Sequence, residues 1–502
     1  QWTLSASAGK DEPVDYSVEI AVKAGGRTQP IASFPSREQQ LRLVFDANTR
    51  YTQRIRRQED ALLELVDYLK KHPVEGQPPR RTLVYAYTFN PQPENAKYTA
   101  ALAEFLKLMP ITLREADPVS PVSGPNGYID VRGHRGERLE EHLKELKASG
   151  LASRIASVSL GDEIGLPRPK ADDHEGFQAW LKTQAVKPSE VDPRAGNDYG
   201  RIAYSPGQET AKTAPRLFYY SQRYQHAYGI EAMKPRTNLI RRYLPHAGVG
   251  ANYSPHHGHF YLGETHKWVH LFREGGMTMP WSEDYVFQPP LGTQQMNFIN
   301  LDVFRAGLKG HPERKIHYYV MPHWPGNTPQ SWRRQFYGDL AHGMKIVDLF
   351  EFRTLEGAYT ENYVNLPEMY LTVRRALYEL GRFEDIVQDG RIRPGVAALW
   401  FGETSDIWND NAHPYGAAKR ALYIAARHQQ LPLDVVTERD VVAGGLRDYQ
   451  VLYLADRHIS RRAAEAVAKW VESGGSLLAT AGAGLHDEFH AAVVPKVIHP
   501  VA

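Results

Sequence analysis

The run Ser157-Val-Ser-Leu-Gly-Asp-Glu-Ile-Gly-Leu166 carries an apolar stretch straight into two adjacent carboxylates, Asp162 and Glu163. The helical segment Phe177-Gln-Ala-Trp-Leu-Lys182 begins shortly after it. In a barrel of parallel strands, reacting groups collect at the C-terminal strand ends. A carboxylic acid held there can protonate a leaving group if its surroundings raise its pKa. The competing reading is a helix-capping Asp beside a solvated Glu. A second chemical candidate is Ser254-Pro-His-His-Gly-His-Phe260, with Glu264 and His266 close behind. Imidazole and carboxylate together could hold zinc or a similar ion. The spacing matches no common site, so a loop of surface or sugar-contacting His is the preferred reading.

Composition limits what else the chain can do. With 502 residues, two or three domains are expected. A hydrophobic content of 42% with 24% charged residues describes a soluble globular protein. The formal net charge of +2 supplies no electrostatic case for nucleic acid or an anionic membrane as partner. No apolar stretch approaches the ~20 residues that span a bilayer. Cys is absent, which excludes disulfides, thiolate nucleophiles and Cys-based metal sites. The chain begins at Gln1, which fits an exported protein after signal removal and a trimmed chain equally well. Its 28 Tyr and 9 Trp will mostly pack, although exposed Trp rings also suit sugar rings.

Three regions must position these groups. Residues 1–50 contain Tyr16-Ser-Val-Glu-Ile-Ala-Val22 and Leu41-Arg-Leu-Val-Phe45, both alternating with a two-residue period. Two strands make no stable sheet alone, so this is read as an edge or remnant of a β-domain. Residues 51–390 repeat a strand-then-helix pattern. The strand candidates are Thr82-Leu-Val-Tyr-Ala-Tyr87, Ile111-Thr-Leu-Arg-Glu115, 155–160, Gly248-Val-Gly-Ala-Asn-Tyr253, Met277-Thr-Met-Pro-Trp281, Lys315-Ile-His-Tyr-Tyr-Val-Met321 and Lys345-Ile-Val-Asp-Leu-Phe350. Helices are expected over 98–108, 139–146 and 217–243. About eight such units predict a (β/α)8 barrel, an α/β fold with a parallel sheet. Residues 391–502 read as a flavodoxin-like, doubly wound α/β domain, with strands at 395–401, 433–436, 451–454 and 474–480. Gly444-Gly445 and Gly474-Gly475 suit turns and helix caps better than phosphate loops. No P-loop and no G-x-G-x-x-G opening a helix after a strand is present, which argues against nucleotide binding.

The order of barrel and flavodoxin-like domain resembles glycoside hydrolase family 42, the β-galactosidase group. Gly161-Asp-Glu163 followed by Phe177-Gln-Ala-Trp-Leu-Lys182 is similar to the segment that carries the family's acid/base Glu after strand four. Gly338-Asp-Leu-Ala-His-Gly343, running into Ile346-Val-Asp-Leu-Phe350, resembles the family's approach to strand eight. Asp448-Tyr-Gln-Val-Leu-Tyr-Leu454 through Val471-Glu-Ser-Gly-Gly-Ser-Leu-Leu478 resembles its trimerisation domain. The likeness covers about two thirds of the chain and speaks more to fold than to substrate.

The resemblance implies Glu163 as the acid/base. The family usually has Asn just before that Glu; here Asp162 stands instead, able to accept a hydrogen bond from a sugar hydroxyl but unable to donate as an amide does. After strand seven the family's nucleophilic Glu is expected, yet the chain reads Val320-Met-Pro-His-Trp-Pro-Gly326, without a carboxylate. Glycoside hydrolysis generally needs two carboxylates, and the nearest replacement lies in Trp281-Ser-Glu-Asp-Tyr285. Glu283 or Asp284 could be the nucleophile or base, with Glu283 slightly favoured although the apolar strand before it does not fix the phase. The competing reading has both binding substrate hydroxyls or capping a helix. A separation of about 5–5.5 Å from Glu163 would imply retention, and about 6.5–9.5 Å inversion.

His323 and Trp324 occupy the vacated nucleophile position and are expected to line the pocket, Trp324 as a stacking platform. Asn252, Tyr253 and Trp281 are candidate substrate-binding residues beside Asp162. Lesser candidates are Arg132-Gly-His134, Glu351, and the group Glu403, Asp406 and Trp408, which in an oligomer could reach a neighbour's site. The expectation is a glycosidase acting on an oligo- or polysaccharide, without organic cofactor or metal, assembled as a homodimer or homotrimer. Two alternatives stand beside it: a non-hydrolytic carbohydrate-binding relative, and a metal-dependent enzyme using the 254–266 His cluster.

Overall fold

The structure is a computed structural model. It describes the chain from 14 to 492, except residues 16–17, 25–26, 35–41, 44–49, 87–95, 115–126, 254–263, 285–294, 323–326, 351, 353–363, 365 and 413.

Eight parallel strands form the central sheet: β1 (Leu83–Ala86), β2 (Thr112–Leu113), β3 (Gly127–Asp130), β4 (Ile155–Asp162), β5 (Gly248–Tyr253), β6 (Trp281–Ser282), β7 (Ile316–Tyr319) and β8 (Met344–Leu349). Their hydrogen-bonded order is β2-β1-β8-β7-β6-β5-β4-β3, which is the sequential ring of a (β/α)8 barrel with its one seam between β2 and β3. The predicted barrel is thus observed. One strand escaped the sequence reading: Gly127-Tyr-Ile-Asp130 is only four residues long and shows no alternation long enough to register.

Side chains along each strand alternate between lumen and helix layer. Outward residues such as Val249, Ala251, Tyr318, Val320 and Val347 join one continuous apolar core with the surrounding helices. Inward residues Tyr85, Tyr128, Met279, Trp281, Tyr319, Met321 and Ile346 form a separate cluster that fills the barrel. Gly250 marks where β5 and the approach to β6 come closest, since a Cβ there would sit 2.2 Å from the Met279 carbonyl oxygen. A long excursion between β4 and β5, including helices His174–Thr183 and Pro215–Tyr243, has its own aromatic core around Phe177, Phe218 and Tyr224.

The third region is a four-stranded parallel sheet: β9 (Ala397–Phe401), β10 (Leu433–Thr437), β11 (Val451–Leu454) and β12 (Ser476–Ala479), ordered β10-β9-β11-β12. This is the expected doubly wound arrangement. At the N-terminal end, Val18–Ala24 pairs antiparallel with Arg27–Phe34, and Val14–Asp15 with Arg42–Leu43. No helix among the described residues is long and apolar enough to cross a membrane.

Barrel and doubly wound domain are joined through a buried charge. Asp302, on the barrel helix Gln295–Gly307, is 1% exposed. Its carboxylate accepts from Tyr423 Oη at 2.7 Å and from the Arg427 guanidinium, both on helix Tyr415–His428 of the doubly wound domain. His342 Nδ1 lies 2.9 Å away and Arg305 Nη1 3.2 Å away within the barrel. Burial works to raise the Asp302 pKa, but His342, Arg305 and Arg427 overcome it and hold the carboxyl well below the usual range. Such a depressed pKa contributes stability above the unfolded carboxyl's value, about 3.9, and that contribution is lost as pH falls through the folded value. Asp302→Asn is expected to cost about 1.5–3 kcal/mol at pH 7, because it takes the negative charge out of hydrogen bonds to half-buried cations. Urea unfolding would measure this, and the difference from wild type should shrink in acid.

Candidate active site at the barrel mouth

Strand phase separates the two carboxylates that follow β6. Trp281 faces the lumen, so Glu283, two residues on, does too, whereas Ser282 and Asp284 face the helix layer. Glu283 is only 4% exposed, and its Oε1 accepts from Asn252 Nδ2 at 2.6 Å. Asn252, at the end of β5, also accepts the Glu163 backbone N–H through Oδ1 at 2.9 Å. A carboxylate can only accept and a backbone N–H can only donate, so both contacts require this orientation of the amide. One side chain therefore bridges Glu163 and Glu283, two of the carboxylate residues that the sequence singled out.

The turn after β4 is shaped for this contact. Gly161 has φ +143°, and a Cβ there would meet Ile164 Cγ2 at 2.7 Å. Glu163 itself has φ +49°, a left-handed conformation that non-glycine residues adopt at a cost. The Asn252 amide accepts the N–H that this turn presents. Asp162 and Glu163 are both exposed at the rim. Lys267 lies close by, 4.2 Å from the Tyr253 ring centre. Burial lowers its pKa, and the Glu264 and Glu163 carboxylates work against that shift.

Below the bridge lies a polar and aromatic floor of which sequence reasoning had named only Trp281. Arg114, following β2, places Nε 3.2 Å from Asp348 Oδ2 and donates from Nη1 to Tyr319 Oη at 3.3 Å. Its guanidinium sits 5.3–5.7 Å from the ring centres of Tyr319, Trp281, Phe350 and Tyr128. His317 Nε2 is 2.8 Å from Asp348 Oδ2, and the ring stacks on Trp281 at 4.2 Å. Burial lowers the His317 pKa despite Asp348, so a neutral ring donates Nε2–H to a carboxylate whose charge Arg114 balances. Burial opposes the Arg114 charge, but Asp348 holds its pKa well above the ordinary value. Tyr319 Oη in turn accepts from Asn252 Nδ2 at 3.4 Å. The contacts thus run from Asp348 through Arg114, Tyr319 and Asn252 to Glu283 and Glu163. A charge inside an otherwise apolar strand, as in Ile346-Val-Asp-Leu-Phe350, was the signal that could have found Asp348.

The remaining candidates fall elsewhere. Asp284 points away from the mouth; it accepts the Met321 N–H at 2.9 Å and a Gln335 amide hydrogen behind the barrel wall. Burial pushes its carboxyl up to about 7, partly offset by those two donors and reinforced by Glu283. Tyr253 also turns outward, its ring 5.7 Å from that of Trp268. Trp281 is part of the floor and 2% exposed. His323, Trp324, Glu351 and residues 254–263 of the His-rich loop lie outside the described residues.

Of the neighbouring His-rich segment, His266 is half-buried and stacked on His226 at 3.6 Å. Arg132 pairs with Asp130 at 2.8 Å and His134 stacks on His142. Glu403, Asp406 and Trp408 contact their own chain: Glu403 binds His270 at 2.6 Å, Asp406 accepts the Thr265 N–H at 2.6 Å, and Trp408 packs on Phe218.

Neither the protein-family models nor the curated proteins contain a match to this chain. Solved structures do match. A catalytic variant of Gan42B, a family 42 β-galactosidase from G. stearothermophilus, superimposes with a TM-score of 0.55 at 15% identity, covering 89% of this chain and 72% of that one. A β-galactosidase from Rahnella sp. R3 gives 0.55 at 15% identity, covering 88% and 71%. The family 42 exo-carrageenase of Bacteroides ovatus gives 0.52 at 10% identity, covering 86% and 72%. This chain has the fold of the glycoside hydrolase family 42 glycosidases, a (β/α)8 barrel followed by a doubly wound α/β domain.

Proposed function

We propose that this chain is a glycosidase that cleaves an oligo- or polysaccharide, with Glu163 as general acid and Glu283 as the second carboxylate. The observation that carries the reading is the Asn252 bridge, which brings Glu283 and the Glu163 backbone to one point of the barrel mouth. Glu163, exposed at the rim, would protonate the glycosidic oxygen. Glu283, lower and nearly buried, would act at the anomeric carbon as nucleophile, or through a water as base. Asp162 at the rim is suited to accept from a sugar hydroxyl. His323 and Trp324 stay in the proposal as pocket-lining residues, since β7 leads directly into them. The fold neighbours include both β-galactosidases and a carrageenase, so the sugar is not inherited from them.

A second reading, carbohydrate binding without turnover, draws on one observation: Val320-Met-Pro322 after β7 contains no carboxylate. Proton NMR of glycan hydrolysis separates the two. For the glycosidase, Glu163→Gln and Glu283→Gln should each lower turnover by about 10²–10⁴-fold. Asp284→Asn, altered behind the wall, should leave turnover within a few-fold, and the first anomer released assigns retention or inversion. Binding of glycans by wild type with no turnover across a broad panel would favour the second reading. Loss with Asp284→Asn in place of Glu283→Gln would refute the assignment of Glu283.

Asn252 supplies a further test. Asn252→Ala removes the bridge without touching either carboxylate. It should lower kcat by about 10²-fold, as expected for a small misplacement of reacting groups, with a smaller change in KM. An unchanged kcat would show that the bridge does not position the site.

A further inference from the structure

Three imidazoles converge in the doubly wound domain, in a place that the barrel chemistry does not use. His458 follows β11, and His486 and His490 lie in the segment after β12. Each offers a nitrogen, and these three atoms lie within 4.8 Å of one another. His458 is 3% exposed.

The hydrogen bonds fix which nitrogen each ring presents. His458 Nδ1 lies 2.7 Å from Asp410 Oδ1, and the other Asp410 oxygen accepts the His458 backbone N–H at 2.7 Å. A carboxylate only accepts, so Nδ1 carries the hydrogen and Nε2 keeps its lone pair. His486 Nδ1 donates to the His490 carbonyl at 3.2 Å, which leaves its Nε2 lone pair to accept from Arg457 Nη2 at 2.9 Å. His458 Nε2 and His490 Nδ1 face each other at 2.7 Å. An oxygen acceptor on the far nitrogen is the usual outer support of a metal-ligating His. Here two rings have one, Asp410 for His458 and a main-chain carbonyl for His486.

The segment is also held in place. Asp487 Oδ1 accepts the N–H groups of Phe489 and Ala491 at 2.9 Å each. Phe489 packs on Tyr219 and Tyr220 of the β4–β5 excursion, with ring centres 5.6 and 5.9 Å apart. The Trp408 ring stacks on His458 and contacts His490.

We propose that His458 Nε2, His486 Nε2 and His490 Nδ1 bind one zinc-class divalent ion, with a fourth position left for water. Three imidazoles suit zinc, copper or nickel rather than magnesium or calcium. Binding requires His490 to carry its proton on Nε2 instead of Nδ1, and Arg457 to turn its Nη2–H to solvent. It also requires the 2.7 Å nitrogen pair to open to about 3.3 Å, the span set by two metal–nitrogen bonds of about 2.0–2.1 Å in a tetrahedron. The ion would staple the loop after β11 to the 486–490 segment, and so to the excursion that Phe489 packs on. This is a structural role, independent of the glycosidase reading.

The test is zinc titration of the chelator-stripped full chain by calorimetry, with cobalt absorption as a second readout. The expected result is one zinc per chain and a Tm that rises with zinc. His486→Ala and His490→Gln should each weaken binding more than about tenfold. Arg457→Gln, which removes the competitor for His486 Nε2 and leaves all three ligands in place, should tighten it several-fold. Failure of wild type to take up zinc at micromolar concentration would overturn the site and leave an imidazole–imidazole hydrogen bond only. Uptake unchanged in both His variants would also overturn it, and would direct attention to the 254–266 loop.

Discussion

The amide of Asn252 is the contact on which the geometry of the barrel mouth depends. It has one acceptor and two donor hydrogens, and the mouth presents a backbone N–H on one side and a carboxylate on the other. An aspartate could not donate to Glu283, and an apolar residue would leave both neighbours without this partner. The N–H it accepts belongs to a residue in the left-handed region, so the bond offsets part of the conformational cost of the Gly161–Glu163 turn. The bridge adds a side-chain tie across the ends of β4, β5 and β6, which already pair as neighbours in the sheet.

Beneath that bridge, the barrel interior carries charge where an apolar filling would be expected. Asp348 is buried there and Arg114 nearly so, and His317 shares the Asp348 carboxylate. Removing two ions from water costs several kcal/mol each, and their attraction returns this only with good geometry and further partners. The surrounding rings supply part of that. Four aromatic side chains surround the guanidinium, and Tyr319 Oη accepts from both Arg114 and Asn252. The floor thereby touches the bridge through Tyr319. A buried carboxylate also serves at Asp302, one of several contacts that join the barrel to the doubly wound domain.

Much of the architecture was legible in the residue order. Alternating strand and helix patterns located seven of the eight barrel strands and all four strands of the doubly wound sheet, because β-branched and aromatic runs between turns are local signals. Gly127–Asp130 escaped because a four-residue strand has too little periodicity to distinguish it from a loop. Arg114 and His317 escaped because a charged or polar residue within an apolar run reads equally as an error of strand boundary. The His458, His486 and His490 cluster has no sequence spacing to announce it: its members come from two segments joined only by the fold.

The carboxylates after β6 show where the division lies. Types and spacing placed Glu163, Glu283 and Asp284 at strand ends, because strand ends follow from local pattern. They favoured Glu283 over Asp284 only slightly, because the strand phase was not fixed. Successive strand residues point to opposite faces, so a one-residue uncertainty in where β6 enters the sheet exchanges lumen for helix layer. Pairing of Trp281 and Ser282 with Asn252 and Tyr253 on one side, and with His317 and Tyr318 on the other, settled that phase. It sent Glu283 to the mouth and Asp284 and Tyr253 behind the wall. Register is a relation between strands, and only the assembled sheet contains it.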